Sequence, residues 1–271
     1  MSNTHLQLRI PLTDRRTIRF LTPLLAVTLL VGLWAALTYG GVIPGFVLPT
    51  PGSVLLTLVQ QLDPMAEHIS VTVSATVVGL ALALVAAVLL AFVMGAFPTV
   101  RMALYPLLVI SQTVPLIALA PLFIIWFGFG LLPKVLVVGL VCFFPIVVSL
   151  IEGIDAVDRD TISLLRSMGA GRRQLFLRAH LPASIPYLFG GLRIAASYSV
   201  MGAVIGEWLG GTSGIGVYMI RAQKAFALDR VFAAIAVVIV LSLSVFGIVV
   251  GLQHLLSPWR RVARGTREEA A

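Results

Sequence analysis

Six stretches of the chain are apolar for longer than a soluble core requires: residues 20–38, 71–97, 102–127, 135–151, 187–205 and 231–252. A helix crosses the hydrocarbon of a bilayer in about 20 residues, so each stretch predicts a spanning helix. Between the fourth and fifth lies the one long polar and charged stretch, 160–186 (DTISLLRSMGAGRRQLFLRAHLPASIP). There Ile162, Leu165 and Met168 recur at i, i+3, i+6, the spacing of one face of a short amphipathic helix, with Asp160 expected as its N-cap. Gly169 is suited to the left-handed conformation that ends such a helix and turns the chain. A second helical run carries Leu175, Phe176 and Ala179 on one face and is expected to stop at Leu181-Pro182, where proline forfeits a backbone donor.

The spans carry their own punctuation. Pro115 and Pro121 predict a kink or break of the third span around residues 113–121, and Pro145 a bend in the fourth. Backbone carbonyls freed there either line a path or are covered by neighbouring helices. Gly128 and Gly130 end the third span. The fifth places Gly191 and Ala195, then Gly202 and Gly206, at intervals of four, a spacing that lets helix backbones approach closely in lipid. Gly190, Arg193 and Ser197 lie on another face, where Arg193 can snorkel to the nearby interface. Glycines 210, 211, 214 and 216 make the next stretch too flexible to continue the helix, and residues 217–227 predict a short helix beyond it.

Composition agrees with a membrane protein: 59% of residues are hydrophobic and 11% charged, against about 25% charged in soluble domains. The net charge of +8 takes its meaning from its distribution. Fourteen arginines fall in the two tails, the second connection and the central stretch, whereas four basic residues (Lys134, Arg221, Lys224, Arg230) fall on the other side. By the positive-inside rule both termini and the central loop are cytoplasmic, and the charge does not call for nucleic acid. Residues 39–70 are then external, and Val54, Leu55, Leu58, Val59 and Leu62 after Pro51 predict an interfacial helix there. The first apolar stretch is expected to be retained rather than cleaved as a signal peptide. Cys142 is the single cysteine, and the four histidines are scattered, so no disulfide and no metal site is expected. The chain has no P-loop, HExxH or GxSxG motif, which argues against an enzyme and against an ATP site of its own.

The spacing of Gly169 to Leu181-Pro182 resembles the cytoplasmic loop signature of permease subunits of ATP-binding-cassette (ABC) importers, in which Glu-Ala-Ala, three residues, Gly, nine residues, Ile, one residue and Leu-Pro follow one another. Here Ser163, Leu164 and Leu165 stand at the Glu-Ala-Ala positions and Ala179 at the Ile position. The stretches LPTPGSVLLTLVQQL, APLFIIWFGFGLLPKVLVVGLVCFFPIVVSL and GLRIAASYSVMGAVIGEWLGGTSGIGVYM are similar to the nitrate, sulfonate, taurine and thiamine-pyrimidine-precursor branch, and the resemblance covers about residues 43–250.

The resemblance implies an all-α polytopic membrane protein of the type I importer permease fold, with six transmembrane helices and a coupling-helix loop between spans four and five. The layout is a tail at 1–19, a permease domain at 20–255 with its coupling loop at 156–186, and a tail at 256–271. Ser163, Leu164, Leu165, Gly169, Ala170, Leu181 and Pro182 would couple it to an ABC ATPase, which would hold ATP and Mg, this chain binding no cofactor. The other partners implied are an extracytoplasmic solute-binding protein and a second permease copy in a prokaryotic cytoplasmic (inner) membrane. Candidate path residues are Gln112, Phe144, Arg193, Ser197, Tyr198 and Glu207. Because Gln112, Phe143, Phe144, Ser197, Tyr198 and Ser199 can stack on or bond a neutral ring while Arg193 is the only cation of the spans, the expected solute is a thiamine-pyrimidine precursor or similar heterocycle, ahead of nitrate, sulfonate or taurine. A self-sufficient secondary carrier is the alternative.

Overall fold

The structure, a computed structural model, describes residues 15–256, with side chains from residue 21; most of the two expected tails lies outside the described residues. Helix α1 (Arg15–Tyr39) is followed by α2 (Pro51–Ala96), α3 (Pro98–Ser111), α4 (Leu116–Phe127) and α5 (Leu131–Asp155). A short α6 (Arg159–Ser167) and α7 (Arg172–Leu175) lead through a π-helical turn (Phe176–His180) into α8 (Leu181–Trp208), then α9 (Ile215–Lys224) and α10 (Leu228–Leu256). Strands are absent among the described residues. Five of the helical segments are long and apolar enough to span a bilayer, and α3 with α4 forms a sixth that is bent by 100°.

That bent pair must cross. The end of α2 lies beside the loop, Gly95 packing against Ile154 and Phe176, whereas α5 begins at the far end of the bundle, where Lys134 donates to the Ser213 carbonyl. Residues 97–130 therefore carry the chain from the arginine-rich end to the opposite end. Its break falls at Gln112 to Pro115, where the proline has no N–H to continue α3. Six crossings follow, as the apolar pattern predicted. Helix α5 continues through Pro145 without interruption.

The centre of the bundle is the α5–α8 pair, and the small residues of α8 make it close. A Cβ at Gly191 would stand 2.5 Å from the Pro145 carbonyl oxygen, and one at Gly206 3.2 Å from the Lys134 Cα. Gly79 gives α2 the same access to Val138 of α5. Between them Ala87, Ala91, Cys142, Ile146, Ala195, Ala196 and Ala203 are sealed, and the Cys142 thiol donates to the Ala195 carbonyl at 3.4 Å. Helix α1 stays outside this core, its side chains from Leu21 to Leu33 almost all exposed, as lipid-facing side chains are.

Two boundaries differ from the sequence expectation. The helix expected on the membrane surface after Pro51 is the first part of α2, which runs 46 residues, about 69 Å, and so projects well beyond a hydrocarbon core of about 30 Å. Thr50 caps it, accepting from the Ser53 N–H at 3.1 Å, and Pro51 occupies its first turn. Pro64 lies inside without ending it, because the buried Met65 and half-buried Leu58 and Ile69 pack on Ile215, Ala234 and Val237. Tertiary contact outweighs the lost hydrogen bond. The second correction concerns the loop and is described with it.

Candidate functional site

The loop at the arginine-rich end divides into a free half and an anchored half. In the free half, Asp158 rather than Asp160 caps α6, its carboxylate accepting from the Asp160 N–H at 3.3 Å; Asp160 sits in the first turn beside the positive helix end. None of the residues of α6 is buried. Ser163 and Leu164 are exposed, Leu165 is half-buried, and Met168 is 75% exposed. Its end is a Schellman turn: Gly169 has φ +84°, its N–H donates to Arg166 and the Ala170 N–H to Leu165. The left-handed turn expected at Gly169 is present.

The anchored half begins at once. Gln174 accepts from the Gly171 N–H at 3.0 Å, opening α7. Leu175 and Ala179 are buried. Phe176 meets Phe92 of α2 edge-on at 5.8 Å, and the His180 ring bonds the Ile154 carbonyl at 2.7 Å. The expected stop at Leu181-Pro182 does not occur. The π-helical turn closes with the Leu181 N–H bonded to the Phe176 carbonyl; this wider turn takes up the proline, whose missing N–H falls in the first turn of α8. Residues Arg172–Trp208 therefore form one helical rod.

Of the path candidates, Ser197 and Tyr198 are brought together with Ile194, Met201 and Trp208 on an exposed stripe of α8. Gln112 is exposed at the break between α3 and α4. Phe144 is half-buried and meets Phe143 edge-on at 5.3 Å. Arg193 lies beside the stripe, its Nε bonded to the Phe189 carbonyl at 3.3 Å. Ser199, named as a ring partner, instead faces the core, fully buried and bonded to the Ala196 carbonyl.

Glu207 stands apart from these. It is 1% exposed at the far end of α8, where Oε1 accepts from the Thr72 hydroxyl at 2.8 Å and Oε2 from the Gly216 N–H at 2.8 Å. Thr72 accepts in turn from the Ile215 N–H at 2.9 Å, and His68 Nδ1 from the Gly214 N–H at 3.0 Å. Lys134, 3% exposed, donates to the Ser213 carbonyl at 2.6 Å. Sequence reasoning singled out neither Thr72, His68 nor Lys134 for this role; the one available signal was a lone lysine opening an apolar span.

Comparison with known proteins decides what this architecture belongs to. Residues 79–261 match the family of binding-protein-dependent transport system inner membrane components. The chain belongs to that family. It is 36% identical over 250 residues to a formylaminopyrimidine transport permease of Halalkalibacterium halodurans, covering 91% of this chain and 99% of the relative. It is 35% identical over 239 residues to a riboflavin transport system permease of Chloroflexus aurantiacus, covering 88% and 89%. To a taurine transport system permease of Escherichia coli it is 31% identical over 266 residues, covering 96% and 95%. The chain is thus a multi-pass permease of binding-protein-dependent ABC import, a transport protein rather than an enzyme. Membership implies an ABC ATPase and a solute-binding protein as partners, and sets aside the self-sufficient carrier.

Proposed function

We propose that this permease imports a thiamine-pyrimidine precursor or similar neutral heterocycle across a prokaryotic cytoplasmic membrane, with both termini and the 156–186 loop in the cytoplasm. The observation that carries the coupling reading is the free half of the loop. Helix α6 offers Ser163, exposed Leu164 and Met168 to a soluble partner, while Gly169 and Ala170 join it to the rod that becomes α8. The ATPase that docks there holds ATP and Mg; this chain contributes no nucleotide site. Closure of the ATPases moves α6, and the rod tilts as a body, switching the side to which the path opens. Leu181 and Pro182 belong to the rod rather than to its end.

Two copies of the chain enclose the path. A stripe that sets Ser197 and Tyr198 among apolar neighbours is better faced by a partner and a hydrated path than by lipid. Gln112 and Phe144 supply a hydrogen bond and a ring face. The preference for a neutral ring over an anion is supported by the pyrimidine and riboflavin permeases among the relatives.

Reconstitution with the cognate ATPase and binding protein in liposomes tests it. ATP-dependent accumulation of a labelled aminopyrimidine is expected; accumulation of taurine with no pyrimidine or flavin uptake overturns the solute and leaves the importer intact.

A further inference from the structure

Four consecutive residues, the last two of the α8–α9 connection and the first two of α9, have backbone groups satisfied by side chains from elsewhere. The Ser213 carbonyl is held by Lys134 of α5, the Gly214 N–H by His68 of α2, the Ile215 N–H by Thr72 of α2, and the Gly216 N–H by Glu207 of α8. The segment could not be seated otherwise. Gly214 has φ +123°, and a Cβ there would collide with the Glu207 carboxylate. The bonds to Thr72 and Glu207 are buried and those to Lys134 and His68 part-buried. Three of the four are to ionisable side chains, and buried bonds of this kind are the costly ones to leave unmade.

What the segment holds is α9. Beyond the seat, α9 and the turn after it expose Arg221, Gln223, Lys224 and Phe226, the last 90% exposed with φ 55°. They lie at the end of the bundle opposite α6. Glu207 is the last residue but one of α8, the same rod whose other end is bonded into the coupling loop.

We propose that Glu207, Thr72, His68 and Lys134 form a latch that fixes α9 to the end of α8, so that docking of the solute-binding protein on α9 is transmitted along α8 to the ATPase. Glu207 is a positioning residue in this scheme. The latch rests on the orientation given above, in which the α9 end is external, and it makes span five a two-ended lever with a partner at each end. Loosening the latch separates the two ends: the binding protein still docks, but its signal is lost in the loop.

Thr72 provides the cleanest test, because its hydroxyl both donates to Glu207 and accepts from Ile215. Thr72→Val keeps the shape and loses both bonds, whereas Thr72→Ser keeps both. The complete importer is assembled in nanodiscs, and ATP hydrolysis is measured without the binding protein and with binding protein charged with formylaminopyrimidine. Stimulation is expected to fall about tenfold in Thr72→Val, the range of an ordinary coupling energy, with unstimulated hydrolysis retained, and to be restored in Thr72→Ser. Hydrogen exchange at the Ile215 and Gly216 amides should rise in the Val variant alone. Full stimulation in Thr72→Val despite faster exchange overturns the latch, as does a loss shared in equal proportion by unstimulated hydrolysis. Should Thr72→Val fail to assemble, Lys134→Met, which frees the Ser213 carbonyl, is read by the same ratio. Absence of stimulation in the unaltered importer is a failure of the solute or orientation reading, distinct from a failure of the latch.

Discussion

At the scale of residues, glycines do two separate jobs that substitution distinguishes. Gly169 has φ +84° with no atom within 4 Å of an added Cβ. Any penalty there is conformational, about 1–2 kcal/mol for a non-glycine residue and more for a β-branched one. Gly169→Val is accordingly expected to insert and assemble but to transport fewer solutes per ATP hydrolysed, measured as paired uptake and hydrolysis in proteoliposomes; an unchanged ratio would show that the bend is dispensable. Gly191 is helical and its constraint is space, since an added Cβ meets the Pro145 carbonyl oxygen at 2.5 Å. Gly191→Val should cost about 1–3 kcal/mol by overpacking. Its neighbour Gly190 has nothing within 4 Å, and Gly190→Ala should leave the thermal midpoint in detergent unchanged or slightly raised. Equal effects at the two positions would refute the α5–α8 packing.

Among elements, the loop between α5 and α8 is two structures with opposite sensitivities. Helix α6 is bonded to the remainder mainly through its own caps, so Leu164→Ser removes an apolar contact only from a partner. Co-purification of the ATPase should fall while the thermal midpoint holds. Phe176, packed on Phe92, Gly95 and His180, should respond the other way: Phe176→Ala lowers stability by about 2 kcal/mol, below the range for a fully buried ring because this one is half-buried. If Leu164→Ser destabilised the isolated permease as much as Phe176→Ala does, the division into free and anchored halves would be wrong. The Arg101–Asp155 pair, with side chains 33% and 47% exposed, ties the start of α3 to the end of α5 and is expected to contribute under about 1 kcal/mol.

The whole molecule is a rod-centred bundle whose two ends differ in charge, and orientation is the property that charge decides. Cysteines introduced at Ser163 and Phe226, in a Cys142→Ala background, should react with an impermeant reagent from opposite sides of the membrane, Phe226→Cys from outside intact cells. Labelling of Ser163→Cys from outside would reverse the assignment. Cys142 is itself fully buried and makes a poor target, but its removal makes the readout unambiguous.

Much of the fold was legible because the signals are local. Long apolar runs, glycine at intervals of four, and a glycine closing an amphipathic turn each act through the residue's own backbone or the adjacent helical turn. They give six crossings, the face of α8 that meets α5, and the bend at Gly169. Family resemblance supplied the coupling role of the loop. The misreadings share a cause as well. The helix expected on the membrane surface after Pro51 is continuous with the span, and the stop expected at Pro182 is passed. Helix α2 runs on through Pro64 and the α7–α8 rod through Pro182, because packing on α9 and α10 in one case and a π-helical turn in the other offset a missing N–H. Asp160 reads as the cap of α6 in sequence, but Asp158 takes that place and Asp160 falls in the first turn. The latch lay furthest from view: Thr72 and Glu207 are separated by 135 positions, and Lys134 and Ser213 by 79. Local propensity carries no information about which distant carbonyl a buried lysine will meet, so that pairing was decided only when α2, α5 and α8 packed together.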